Sequence, residues 1–179
     1  PVTGVQTCAL PILAMAQDLE GVAIRIIDSH APFAVDALEI QPFPVPHDAR
    51  EPVQFVFGDG QRRLGVLTDA GSSTPHIEAM LTGVDALVLE CNHDAAMLES
   101  GPYPASLKRR VGGRFGHLGN GQAAALLGRV KHDRLQCVMA AHVSRRTTRA
   151  RLRRPRWLRC WCARQTRWAW PARRPDSIG

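Results

Sequence analysis

Apolar and polar positions alternate over Leu38–Phe43 with the period of two that marks a half-buried strand. Two further strand-like runs, Val53–Phe57 and Arg63–Leu67, flank Gly58-Asp59-Gly60, whose residue types signal a hairpin turn. Thr74-Pro75 opens a helix through Leu81, with Ser73 or Thr74 as the cap and proline in the first turn, where its missing N–H is no loss. An apolar strand follows over Asp85–Glu90, then a helix over Asp94–Glu99 and a basic helix over Pro104–Val111. Another helix, rich in alanine and leucine, spans Gly121–Val130 with Asn120 before it as a cap. The last strand, Gln136–Ala141, delivers His142 at its C-terminal end. Strands alternating with helices predict an α/β fold, a sheet with helices packed upon it.

Charge is divided unevenly along the chain. The net charge of +7 over 179 residues suggests an anionic partner, but residues 1–144 carry 11 Lys+Arg against 15 Asp+Glu, a net of −4, while residues 145–179 carry 12 Arg against Asp176 alone, a net of +11. The basic character belongs to the tail, which also holds Trp157, Trp161, Trp168, Trp170, Cys160 and Cys162. In the body, Cys91 and Cys137 sit in apolar strand-like runs, where cysteine is expected as a small buried hydrophobe. This usage points to a reducing, cytoplasmic compartment without a disulfide framework. No apolar stretch reaches the roughly 18 residues of a membrane span, and the N-terminus lacks the charged start of a signal peptide.

Both ends read as foreign to the fold. Residues 1–12 resemble the translation of a common sequencing-adapter oligonucleotide; the alternative is a short natural strand ending at Pro11. The tail, residues 147–179, has no amphipathic period and has the Arg, Ala, Pro, Trp and Cys composition of a GC-rich gene read out of frame. The alternative is a natural Arg/Trp segment that binds nucleic acid or a membrane. The expected organisation is therefore 1–12 non-native, 13–146 folded, and 147–179 out of frame and poorly packed.

Candidate chemistry gathers at strand ends. His47-Asp48 follows the strand at Val45-Pro46, Asp69 closes the run Leu64–Thr68, and His142 closes Val138–Ala141. Ligands at strand ends are held on rigid elements and converge on one edge of a sheet, as a metal site needs. Imidazole and carboxylate together suit zinc, manganese or iron, and one carboxylate can bridge two ions about 3.5–4 Å apart. Taken singly, each of these residues also has an ordinary reading as a turn or strand-end residue.

Several spaced motifs add to this: Val45-Pro46-His47-Asp48-Ala49, Thr68-Asp69-Ala70-Gly71, Leu89-Glu90-Cys91-Asn92-His93-Asp94, Tyr103-Pro104, Leu107-Lys108-Arg109-Arg110, Gly116-His117-Leu118-Gly119-Asn120 and Ala141-His142-Val143-Ser144. From Leu38 to Ser144 the chain resembles the C-terminal half of metallo-β-lactamase-fold hydrolases of the YycJ-like group, relatives of ribonuclease Z. The resemblance implies a partial metallo-β-lactamase fold, half of an αββα sandwich. It implies that His47 is a metal ligand, Asp69 the carboxylate bridging two divalent ions (zinc or manganese), and His142 the ligand of the second ion. His117 would be the proton donor near the scissile phosphate; its alternative is a capping or packing histidine. For Asn92-His93-Asp94 the ordinary reading is helix capping by Asn92, with Asp94 in the first turn. His30, His76 and His132 lie in no motif and are expected on the surface. Where the group continues His-Leu-Ser-x-x-Asn-Asn, this chain has His142-Val-Ser-Arg-Arg-Thr147-Thr148, as a one-base shift near Arg146 would give.

The implied activity is phosphodiester hydrolysis, with nucleic acid as the substrate, through a water activated by two metals. The group's His-x-His-x-Asp-His motif, which supplies most ligands of both ions, occurs nowhere in these 179 residues. The chain alone is therefore expected to be inactive, and the inner face of its sheet to be an exposed apolar patch. The competing expectation is a non-enzymatic basic protein that binds nucleic acid through its Arg/Trp tail.

Overall fold

The computed structural model describes residues 27–148. The expectations for residues 1–12, and those for the tail beyond Thr148, lie outside the described residues. Six strands form one sheet in chain order: β1 (Phe33–Val35), β2 (Leu38–Pro44), β3 (Val53–Gly58), β4 (Arg63–Leu67), β5 (Ala86–Glu90) and β6 (Cys137–Ala141). β1 to β4 pair antiparallel, while β4–β5 and β5–β6 pair parallel. The helices are α1 (Pro75–Leu81), α2 (Ala95–Ser100), α3 (Ala105–Val111) and α4 (Asn120–Val130).

Local chemistry accounts for these elements. The β3–β4 hairpin turns through Gly60 at φ +85°, a conformation open to glycine. The Asp59 carboxylate accepts the N–H groups of Gln61 and Arg62 at 2.8 and 2.6 Å. Thr74 caps α1, its hydroxyl accepting from Ile77 N–H at 3.2 Å.

The helices cover one face of the sheet. α1 packs on β2 and on α4, and α4 packs on β5. Leu67, Ile77, Leu81, Leu87, Leu89, Leu118 and Leu126 are fully buried between them. Gly65 lies beneath this layer because a Cβ there would meet the Leu81 and Leu87 side chains. On the other face, the strand register aligns Phe57, Leu64, Ala86 and Cys137 in one row and Phe55, Val66, Val88 and Met139 in the next. Both rows are apolar, yet Leu64 is 37% and Met139 56% exposed. The described residues thus form one sheet with helices on one face and an apolar, partly exposed second face.

The structure corrects several sequence expectations. β1 was not anticipated, because three residues are too few to show a period. Asp94, not Asn92, caps α2, accepting from Met97 N–H at 3.0 Å. α4 begins at Asn120, with Gly119 as its cap residue. Cys91 is buried, and burial pushes its thiol up to about 12, but Cys137 is exposed on the open face. His132 is half-buried with Nε2 3.0 Å from the Val84 carbonyl, so it is not a plain surface residue.

Thr147 and Thr148 are also buried, against the expectation that packing stops at Arg146. Their contacts are backbone-directed: Asp94 N–H donates to the Thr147 carbonyl at 2.7 Å and the Thr148 hydroxyl to the Asn92 carbonyl at 2.8 Å.

Candidate metal centre

The strand directions explain why distant residues meet. β4, β5 and β6 run parallel and end at one edge of the sheet, and β2, two antiparallel steps from β4, ends there as well. His47 follows β2, Asp69 follows β4, Glu90 ends β5 and His142 follows β6. His117 reaches the same edge from the α3–α4 loop. Asp69 and His142 both have φ near +50°, 52° and 51°. For residues with a Cβ this left-handed conformation costs on the order of 1–3 kcal/mol, and such outliers gather at functional sites.

Hydrogen bonds lock these loops together. Gly71 N–H donates to the Pro46 carbonyl at 2.8 Å, joining the Asp69 and His47 loops. Gly71 also lies so close to Arg114 and Gly116 that a Cβ would strike their backbone. Asn92 is buried and its amide donates to the His142 carbonyl at 3.0 Å, while Ser144 N–H donates to the Asn92 carbonyl at 2.9 Å. Asn92 thus holds the His142 turn.

The structure brings His47, Asp69, His117 and His142 together. Nδ1 of His142 is 3.3 Å and Nδ1 of His117 3.7 Å from Asp69 Oδ1, and Nε2 of His47 is 4.0 Å from the same oxygen. His47 Nδ1–H donates to the Gly116 carbonyl at 3.0 Å, which leaves Nε2 as its ligand atom. Asp48 lies beside it, 3.4 Å from His47 Nε2, and its carboxyl is held below the ordinary range by the hydrogen bond from Arg110.

One member of the cluster was missed in the sequence. Glu90 is fully buried, with Oε1 2.7 Å from His142 Nδ1 and 2.9 Å from His117 Nδ1, and Oε2 accepting from Ala70 N–H at 3.0 Å. Burial pushes this carboxyl up, but the bonds from His117, His142 and Ala70 outweigh it and bring it down to about 2. The bond to Glu90 in turn raises the His142 imidazole, against the effect of burial. The available signal was an acid closing the apolar run Ala86-Leu-Val-Leu-Glu90.

This donor set fits a divalent metal. Asp69, Glu90, His117 and His142 each offer a ligand atom, all within 4.8 Å of one another. Two donors on one ion, each at about 2.0–2.2 Å, stand up to about 4.4 Å apart, so little rearrangement is needed. Among the described residues no helix is long and apolar enough to cross a membrane.

Comparison with known proteins agrees with this fold. The chain is 37% identical over 107 residues to the exodeoxyribonuclease YycJ of Bacillus anthracis, covering 60% of this chain and 40% of that protein. It is 31% identical over 108 residues, with the same coverage, to the exodeoxyribonuclease WalJ of Streptococcus pneumoniae. The chain thus spans about 40% of the length of the curated relatives it matches. The zinc-bound PqqB of Methylobacterium extorquens superposes with a TM-score of 0.62 at 19% identity, over 89% of this chain and 57% of that one, a likeness of fold. Residues 4–139 match the beta-lactamase superfamily domain. The chain belongs to that superfamily, as a metallo-β-lactamase-fold relative of YycJ and WalJ.

Proposed function

We propose that this chain carries the C-terminal half of a phosphodiesterase site that acts on nucleic acid in the cytoplasm, and that it is inactive until an upstream half bearing His-x-His-x-Asp-His joins it. The convergence of Asp69, Glu90, His117 and His142 within 4.8 Å at the strand ends carries this reading. The likeness to two exodeoxyribonucleases supports the choice of substrate. His47, Asp69 and His142 would hold two divalent ions, zinc or manganese, with Asp69 shared. Such ions supply a water made acidic enough to attack at neutral pH and neutralise charge on the phosphoryl oxygens.

The chain's own contribution lies on the leaving-group side. His117 gives its Nδ1–H to Glu90, so Nε2 is the nitrogen left to hand a proton to a leaving oxygen. Glu90 fixes that orientation, and the Glu90 bond to His142 ties it to the ligand turn.

The test is hydrolysis of bis(p-nitrophenyl) phosphate and of single-stranded DNA with added manganese or zinc. The chain alone should show no turnover. Supplying the upstream half and restoring the frame after Arg146 should give activity that Asp69→Ala lowers by several orders of magnitude. Robust turnover by the chain alone, insensitive to Asp69→Ala, would refute the reading. Salt-sensitive DNA binding that vanishes when residues 149–179 are removed would favour the Arg/Trp tail instead. The cut belongs after Thr148 because Thr147 and Thr148 are part of the packed body.

A further inference from the structure

Of the three basic residues in the last turn of α3, Lys108 and Arg109 line an open groove against α2 and the start of α4, whereas Arg110 turns to the metal centre. Its Nε–H donates to Asp48 Oδ2 at 2.5 Å. The other oxygen of that carboxylate lies 3.4 Å from Nε2 of His47, the nitrogen left to bind a metal. One carboxylate therefore separates the guanidinium from a ligand atom.

A second link joins the same two residues through the backbone. A Cβ on Gly116 would stand 2.1 Å from the Arg110 carbonyl oxygen, so Gly116 packs directly on the main chain of Arg110. The Gly116 carbonyl in turn accepts His47 Nδ1–H at 3.0 Å, and His117 N–H donates to the Val111 carbonyl at 2.9 Å. The last turn of α3 is thus fastened to two histidines of the site by contacts that do not involve the Arg110 side chain.

The outer end of that side chain is open. Nε carries one of the five guanidinium N–H groups, and the other four, on Nη1 and Nη2, find no acceptor among the described residues. The Arg110 side chain is 70% exposed, and an ion pair so exposed adds little to stability. What the pair does is aim the group. A guanidinium pinned through Nε presents its terminal nitrogens as a planar fork that matches two oxygens of a phosphate. Pairing also neutralises Asp48, a carboxylate that would otherwise repel an anion beside His47.

We infer that Arg110 binds substrate at this centre, its terminal nitrogens donating to the non-bridging oxygens of a phosphodiester, and that Asp48 is the positioning residue that aims it. The inference rests on the phosphodiesterase reading of the site. It supplies a cation on the His47 side of the cluster, where the neighbouring charges are the carboxylates of Asp48 and Asp69. A donor already aimed loses little freedom on binding, so its effect falls on affinity rather than on proton transfer at His117.

Dimethyl phosphate, a phosphodiester, titrated into the full chain with zinc and followed by ¹H–¹⁵N NMR, tests this without turnover. The Arg110 Nε–H signal, identified by its loss in Arg110→Lys, should shift and saturate together with the His117 amide. Arg110→Ala should weaken binding about tenfold, and Arg110→Lys by less, since the charge remains and the fork is lost. Arg109→Ala, equal in charge change and on the same helix, should bind as the parent chain does. Asp48→Ala should broaden the Nε–H signal through faster exchange with water. Unchanged amide signals away from α3 will show that the variants are folded.

An Arg110 signal that does not move, or binding that Arg110→Ala leaves unchanged, would overturn the inference whatever the hydrolysis assay gives. An equal loss in Arg109→Ala would do the same, because it would mark a general effect of charge. Binding that depends on Arg110, with no hydrolysis by the completed protein, would keep the phosphodiester contact and refute the phosphodiesterase reading. In a completed protein that hydrolyses bis(p-nitrophenyl) phosphate, Arg110→Ala should raise KM about tenfold with little change in kcat. A fall in kcat at unchanged KM would count against a binding role.

Discussion

Oε1 of Glu90 lies 2.7 Å from Nδ1 of His142, in a position from which water is fully excluded. The same oxygen serves His117, and Oε2 serves the Ala70 N–H. Glu90→Ala therefore leaves the buried Ala70 N–H unpaired and takes the shared acceptor from His117 and His142, which water can partly reach, and should lower stability by about 1–3 kcal/mol, measured by urea unfolding. Glu90→Gln keeps the volume and one acceptor, and should lose less. A negligible loss in the alanine variant would contradict this geometry.

Close backbone approach gives a second prediction. A Cβ at Gly71 would collide with Arg114 and Gly116, forcing apart the loops that carry Asp69 and His117. Gly71→Ala should cost about 1–3 kcal/mol and weaken zinc or manganese binding in a calorimetric titration. Gly128, within α4, has nothing within 4 Å of its would-be Cβ. Gly128→Ala should instead stabilise by roughly 0.5–1 kcal/mol through helix propensity, visible as a higher Tm.

Asp85 sets a pH dependence away from the site. Its carboxylate accepts from the Arg63 N–H at 2.8 Å and the Arg62 guanidinium at 3.3 Å. Burial pushes the carboxyl up, but these bonds prevail and hold it below its usual value of 3.8. With the folded value depressed, the stabilisation is complete above the unfolded pKa of about 3.9 and is lost as pH falls through the folded one. Asp85→Asn should therefore cost about 0.5–1.5 kcal/mol at pH 7. Urea unfolding of both proteins across pH 7 to 2 should show the difference shrinking at the acid end.

The open sheet face predicts association. Met139 is 56% exposed in β6, an edge strand of the described sheet, beside the apolar Val88. A contiguous apolar face of this kind self-associates, so sedimentation should show mass rising with concentration. Met139→Lys should reduce that rise, by placing a charge on both the face and the edge. An unchanged sedimentation profile would mean that the face is covered.

Legibility in the sequence followed the strength of the local signal. β2 through β6 and the four helices of the described residues were readable because each carries a period, a cap or a turn residue. The strand-end placement of His47, Asp69 and His142 was readable because a polar residue closing an apolar run stands out. Glu90 obeys the same rule, yet it was passed over as the last residue of its strand. Its role appears only when His117 and His142 arrive from 27 and 52 residues away. The part played by Asn92 is of the same kind: capping is a local habit, whereas holding the His142 turn is visible only in three dimensions. Thr147 and Thr148 misled for another reason, since composition identified the tail but could not fix where packing ends.

Strand order in the described sheet follows chain order from β1 to β6, which bears on how the protein is made. Each strand joins a neighbour already synthesised, so none must wait, exposed, for a later one. Antiparallel β1 to β4 can form by local closure, and the slower parallel additions come afterwards. Glu90 emerges with β5 and His142 only after β6, the last strand of the described sheet. A nascent chain therefore holds its buried acid before the second histidine exists to pair with it, and ribosome release through β6 is the step that completes the cluster.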